Sequence, residues 1–117
     1  MGEDYNIVCA SNDEAIISKP DSHENINHIY YYNGNKLKKC LSLDATFSAV
    51  YSYVDGYIYY STSSYNNPND SEYSSDRHHG TIILRKYNVK TGASAVVDTR
   101  FTSELTMCTW FFPYFDN

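Results

Sequence analysis

At 117 residues the chain is one domain's worth of polypeptide with room for a modest core, which excludes multi-domain architectures. Its 42% hydrophobic and 20% charged content is that of a globular protein, and 13 tyrosines among many serines and asparagines favour strands and turns over helices. The formal charge of -5 disfavours a surface that tracks nucleic-acid phosphates, which needs a basic stripe, and suits instead a protein partner with a basic face.

The N-terminal residues Met1-Gly2-Glu3-Asp4-Tyr5 carry neither a basic n-region nor an apolar h-region, so the sequence as given is not expected to be a secretory precursor. Asn6 breaks the myristoylation pattern, and no run approaches the ~18 apolar residues of a membrane span. The expectation is a soluble chain, cytoplasmic if complete. Cys9, Cys40 and Cys108 are too few and too scattered for a disulfide framework, and no two stand at metal-ligand spacing; buried thiols are expected.

In chain order, Tyr5 to Ala10 alternates as a strand. Ser11-Asn12-Asp13-Glu14 is compatible with a helix capping box, but the helix would run into Pro20 after barely one turn, so a tight turn and a short strand over Ala15 to Ser18 are predicted. Lys19 to His28 reads as a polar loop. Ile29 to Tyr32 is a strand ended by Asn33-Gly34, a dipeptide suited to a type I′ hairpin, and Lys36 to Leu43 returns beside it. Phe47 to Val54, the turn Asp55-Gly56 and Tyr57 to Ser61 form the next hairpin. Thr62 to Gly80 reads as a long polar loop, of the kind that is either functional or disordered. Thr81 to Val89, the turn Lys90-Thr91-Gly92 and Ala93 to Asp98 follow, and Glu104 to Trp110 reads as one more strand before the aromatic run Trp110 to Phe115.

The order repeats. Ile7 to Ser18 falls on Val50 to Ser61 without a gap, each copy an apolar run, a polar turn and a second apolar run closing on serine. After a variable loop Ile29-Tyr-Tyr-Tyr-Asn33 stands opposite Leu84-Arg-Lys-Tyr-Asn88, and Leu43 to Phe47 opposite Val97 to Phe101. Each copy is therefore expected to be four short antiparallel strands, spanning about 5-46 and 47-100, within a single all-β domain.

Gly56-Tyr57-Ile58-Tyr59-Tyr60-Ser61, followed by Leu84 to Gly92 and then Val96-Val97-Asp98, resembles blades of β-propellers of the prolow-density lipoprotein receptor-like and TolB-like kinds. The resemblance spans nearly the whole chain as two blades plus a fragment, with Ala15-Ile16-Ile17 departing from it by lacking aromatics. It implies a four-stranded blade per repeat. Propellers close with about four to eight blades, so two would leave exposed sheet edges. Three arrangements meet that requirement: several chains joining in one ring through strand edges and the 110–115 aromatic tail, a piece of a larger secreted propeller, or a single small sandwich or barrel.

Candidate chemistry is sparse. His23, His28, His78 and His79 fall in the two predicted loops, where with Asp70, Glu72 or Asp76 they have the residue types of a zinc site. Adjacent His78-His79 is poor ligand geometry and no cysteine joins them, so solvated histidines, no metal and no cofactor are expected. No serine lies in a Gly-x-Ser-x-Gly context and no glycine loop cradles phosphate, so an enzyme is not expected. The aromatic surplus remains: Tyr65 and Tyr73, with Asp76 and Arg77, give the loop amphipathic contact area of the kind used in binding surfaces. The expectation is a non-enzymatic recognition module with a protein or carbohydrate ligand, acting through these loops. The alternative is a small acidic inhibitor occupying a basic groove on an enzyme or a nucleic-acid-handling complex.

Overall fold

Eight strands make two sheets among the described residues. In the computed structural model, which describes residues 5–65 and 80–102, they are β1 (Asn6–Ser11), β2 (Glu14–Asp21), β3 (Ile26–Tyr32), β4 (Leu37–Asp44), β5 (Ser48–Val54), β6 (Tyr57–Tyr65), β7 (Gly80–Asn88) and β8 (Ser94–Thr102). Sheet 1 is the antiparallel meander β1-β2-β3-β4 and sheet 2 is β5-β6-β7-β8; no strand pairs across the two. The all-β expectation holds, and among the described residues there is no helix.

The repeat is visible in the backbone, irregularities included. Ile7 and Cys9 flank a bulge in β1, and their frame-mates Val50 and Ser52 flank one in β5. A register shift follows Ile29 in the β3–β4 pair and follows Leu84 in the β7–β8 pair. Asn12 and Asp55, matched by the same frame, both have positive φ (48° and 52°), a conformation that asparagine and aspartate accept more readily than most residues. The Asn33 side-chain oxygen accepts from the N–H groups of Asn35 and Lys36 at 3.1 and 2.9 Å, and that of Asn88 accepts from Lys90 and Thr91 at 2.9 and 3.1 Å. Because bulges and turn caps set strand twist and register, repeating them repeats the sheet.

Four expectations need correction. Lys19 to His28 is mostly strand, with only Ser22 to Asn25 left as the connection. Pro20 is tolerated there because β1 pairs only as far as Ser18, so the missing N–H interrupts no ladder on that side. Likewise β6 continues through Thr62 to Tyr65, and β7 begins at Gly80. Asn33-Gly34 is not a type I′ pair, since only Gly34 has positive φ (95°) and Asn33 instead caps a wider turn through its side chain. Finally, Leu41 faces Ile29 as Asp98 faces Leu84, so the fourth strands align three residues off the Leu43–Val97 frame. The strand over Glu104 to Trp110 and the aromatic run to Phe115 lie outside the described residues.

The sheets meet face to face. Ile16, Ile29 and Leu43 from sheet 1 and Ile58, Tyr60, Tyr87 and Val89 from sheet 2 form one buried cluster, with Cys9 and Cys40 packed against it. Both cysteines are free and partly buried, and that burial pushes their thiols up. On its other face sheet 2 carries a second cluster of Ile82 and Leu84, packed by Phe47, Tyr51 and Tyr65. Adjacent Ile16 and Ile17 are both buried although strand alternation sends them to opposite faces, so β2 has an apolar residue on each side.

Polar contacts clamp the sheets at the end where β1 turns into β2. The hydroxyls of Tyr31 and Tyr53, one from each sheet, both donate to Glu14 Oε2, the latter at 2.9 Å. The Tyr31 hydrogen bond, then that of Tyr53, holds the Glu14 carboxyl below the ordinary glutamate range. Burial first, then Glu14, raises the Tyr53 phenol. Nearby, Lys38 Nζ donates to the Val89 carbonyl at 2.6 Å, again from sheet 1 to sheet 2.

Candidate recognition groove

The end opposite that clamp gathers the connections. The linker from β4 to β5 is capped by Asp44, whose carboxylate accepts from Thr46 N–H and Phe47 N–H at 2.8 and 2.9 Å. It is bonded on one side to Asn25, through Ala45 N–H to the Asn25 carbonyl (2.9 Å) and Asn25 Nδ2 to Thr46 Oγ1 (2.8 Å). On the other side Ser63 N–H donates to the Phe47 carbonyl at 2.8 Å. The β2–β3 turn and the far end of β6 are therefore neighbours across this linker.

On the outer face of sheet 1, beside the β2–β3 turn, lies a concavity of about 490 Å³ lined by Lys19, Asp21, His23, His28, Tyr30 and Lys39, together with Pro20 and Ser22. Register explains who lines it. Lys19 pairs with His28 and Tyr30 pairs with Lys39, so alternation delivers all four to one face across three strands. The turn is fixed by Asp21, whose Oδ1 accepts from the N–H groups of His23 and Glu24 at 3.1 and 3.3 Å. The Tyr30 ring stands edge-on to Tyr5 at 5.7 Å, and Lys19 Nζ lies 5.4 Å from the centre of the Tyr5 ring. Such a cation–π contact orients the ammonium without neutralising it.

His28 is held at one ring nitrogen, Nδ1 lying 2.9 Å from Ser42 Oγ, while Nε2 faces Asp21 Oδ2 at 4.0 Å. Ser42, His28 and Asp21 are the residue types of a nucleophile, base and orienting acid. The 4.0 Å separation is longer than a hydrogen bond, and the other oxygen of Asp21 is committed to the turn. What this arrangement offers a ligand is an oriented imidazole flanked by two ammonium groups and a phenol ring, not an activated hydroxyl. Neither Lys19 nor Lys39 reaches a carboxylate among the described residues, so the groove is a locally positive spot on a chain of net charge -5.

The structure thus brings His23 and His28 together at one groove, on a turn and a strand rather than in a long loop. Tyr65 is placed elsewhere: it ends β6, and its ring packs edge-on against Phe47 at 5.4 Å over the Ile82–Leu84 cluster. Tyr73, Asp76, Arg77, His78 and His79, like the potential zinc partners Asp70 and Glu72, lie outside the described residues. Among the described residues no three His, Cys, Asp or Glu side chains are arranged to hold a metal ion. Lys19, Asp21, Tyr30 and Lys39 were missed as a group because a loop reading of Lys19 to His28 hides alternation, which continues three residues past Ser18, to Asp21, once Pro20 is admitted to the strand. No family model matches the chain, and no curated protein or solved structure matches it either.

Proposed function

We propose that the chain is a non-enzymatic recognition module of two blade-type units, and that its ligand is an acidic carbohydrate held in the groove of sheet 1. The convergence of Lys19, His28, Tyr30 and Lys39 around a concavity of about 490 Å³ carries this reading. The volume falls within the range of small-molecule sites, roughly 300–1,000 Å³. Two ammonium groups supply charge-assisted hydrogen bonds to a carboxylate, His28 supplies a further polar contact, and the Tyr30 ring supplies an apolar face for a sugar. The blade-type reading is supported by the repeated meander, with its bulges and turn caps in register. The contact face comprises the turn end of both sheets, since the linker ties the β2–β3 turn to the end of β6.

Acidic and neutral saccharides screened on an array, followed by calorimetric titration of any that bind, test it. Binding of a uronic-acid-type saccharide should weaken at least tenfold in the Lys19→Ala, Lys39→Ala double variant, with the neutral counterpart binding more weakly to the wild type. Equal affinity of the double variant, or no saccharide bound at all, would defeat the reading.

A further inference from the structure

The outer face of sheet 1 does not close at Tyr30. Tyr32 follows two residues further along β3, so alternation turns it to the same side of the sheet, about 7 Å on. Its cross-strand partner is Leu37, and both stand open to solvent, 39% and 41% exposed. Together with Tyr5 and Asn35 they line a second hollow, of about 420 Å³, at the β3–β4 turn.

Tyr5 belongs to both hollows. Its ring centre lies 5.7 Å from that of Tyr30 and 5.4 Å from Lys19 Nζ, two residues of the groove, and it is also a wall of the second hollow. Ile17, which pairs with Tyr30 and shares its face, is only 2% exposed, so the face is closed over Ile17 and open on either side of it. The two openings differ in chemistry. The groove holds Lys19, Lys39 and His28, whereas the second hollow has no charged side chain and offers two phenol rings, a leucine and a primary amide. Its shape is fixed by the turn: the Tyr32 hydroxyl donates to the Gly34 carbonyl at 3.1 Å, and Asn35 N–H donates to Asn33 Oδ1 at 3.1 Å. An aromatic face beside an amide, which donates and accepts at once, suits the apolar ring face and the hydroxyl groups of an uncharged sugar.

We infer that the second hollow is a subsite for a neutral sugar unit of the groove's own ligand, which is therefore an acidic oligosaccharide lying along β3. Its carboxylate sits among Lys19, His28 and Lys39, and its uncharged neighbour sits between Tyr5 and Tyr32. From His28 to Tyr32 the strand advances about 13 Å, a length that takes more than one pyranose ring. Charge selects the ligand at one end, and aromatic face with amide selects it at the other. The inference rests on the reading of the groove as a site for an acidic saccharide, and it adds the size and composition of that saccharide.

Calorimetric titration of the full chain tests it, with methyl glucuronide as one probe and trisaccharides of one glucuronic acid and two glucose units, the acid at either end, as the others. The wild type should bind one of the trisaccharides at least tenfold more tightly than the monosaccharide. Tyr32→Ala and Leu37→Ala, made separately and checked for folding by far-UV circular dichroism, should each remove most of that gain and leave monosaccharide affinity within twofold of wild type. Tyr32→Phe, which keeps the ring, should retain the gain. The amide resonances of Asn35 and Leu37 should shift with the trisaccharide and stay in place with the monosaccharide. Equal wild-type affinity for the two kinds of ligand, alanine variants that keep the full gain, or variants that weaken both ligands alike would overturn the inference. Those results leave the groove's own reading intact while monosaccharide binding still depends on Lys19 and Lys39. If neither kind of ligand binds, the reading of the groove fails and the second subsite fails with it.

Discussion

Sheets 1 and 2 share a backbone plan and differ in what each does with its two faces. Sheet 1 has one face in the common core and turns the other, with Tyr30, Lys19, His28 and Lys39, toward solvent. Sheet 2 contributes Ile58 and Tyr60 to the common core and carries a second apolar cluster around Leu84 on its other side. At frame-matched positions the substitutions are drastic: His28 stands where Ile83 stands, and Lys19 where Thr62 stands. A strand meander held by bulges and turn caps leaves its outward faces free to diverge, which is how one repeat can carry an apolar cluster where its twin carries polar side chains.

The sharpest test of that comparison truncates the matched core residues. Ile29 and Leu84 occupy equivalent positions in β3 and β7 and are both buried, Ile29 between the sheets and Leu84 in the second cluster. Each changed to alanine should destabilise by about 2–5 kcal/mol in urea unfolding. A loss under about 1 kcal/mol for Leu84→Ala alone would show that the far side of sheet 2 is not a true core and would dissolve the distinction drawn here.

A smaller effect tests the shared plan. Asn33 and Asn88 make the same pair of side-chain to backbone hydrogen bonds at matched hairpins. Each changed to alanine should lower stability by about 0.5–1.5 kcal/mol. The two losses, read from thermal melts, should agree closely; a large inequality would mean that the turns are alike in geometry but not in energetic role.

The smallest effect concerns the clamp that joins the sheets. Because Tyr31 and Tyr53 hold the Glu14 carboxyl below the ordinary glutamate range, the group favours the folded state above its unfolded value, and that contribution is lost as pH falls through the folded value. Stability followed by melting temperature should therefore drop across the acid side of the glutamate range, and Glu14→Gln should flatten that part of the profile. An unchanged slope in the variant would mean that Glu14 is not the titrating link. Since Glu14 is only partly shielded from solvent, screening keeps the effect modest.

Much of the fold was legible in the sequence, because local rules carried it. Asp55-Gly56 is a turn with both central residues at positive φ, as that dipeptide suggests, and the Ile7-to-Val50 frame recurs as matched bulges. The groove was only half legible. His23 and His28 stood out as residue types, but Lys39 and Ser42 did not, because what joins them to His28 is the register of β3 against β4 and nothing near them in the chain announces it. Tyr65 misled for the opposite reason: polar neighbours in sequence implied a loop, while Phe47, far away in the chain, gives its ring a place to pack.

The sequence by itself determined where most of the strands lie, the Asp55-Gly56 turn and the twofold recurrence, since alternation, bulge-forming stretches and asparagine or glycine at turns act over a few residues. It did not determine which way each sheet faces. Ile16 and Ile17 are adjacent and both buried, so no alternation pattern in β2 distinguishes an inner side from an outer one. Only the packing of sheet 1 on sheet 2 decided that Ile16 faces the common core and that Ile17 shares a face with Tyr30 and the groove, because the burial of a side chain depends on what the rest of the chain places opposite it.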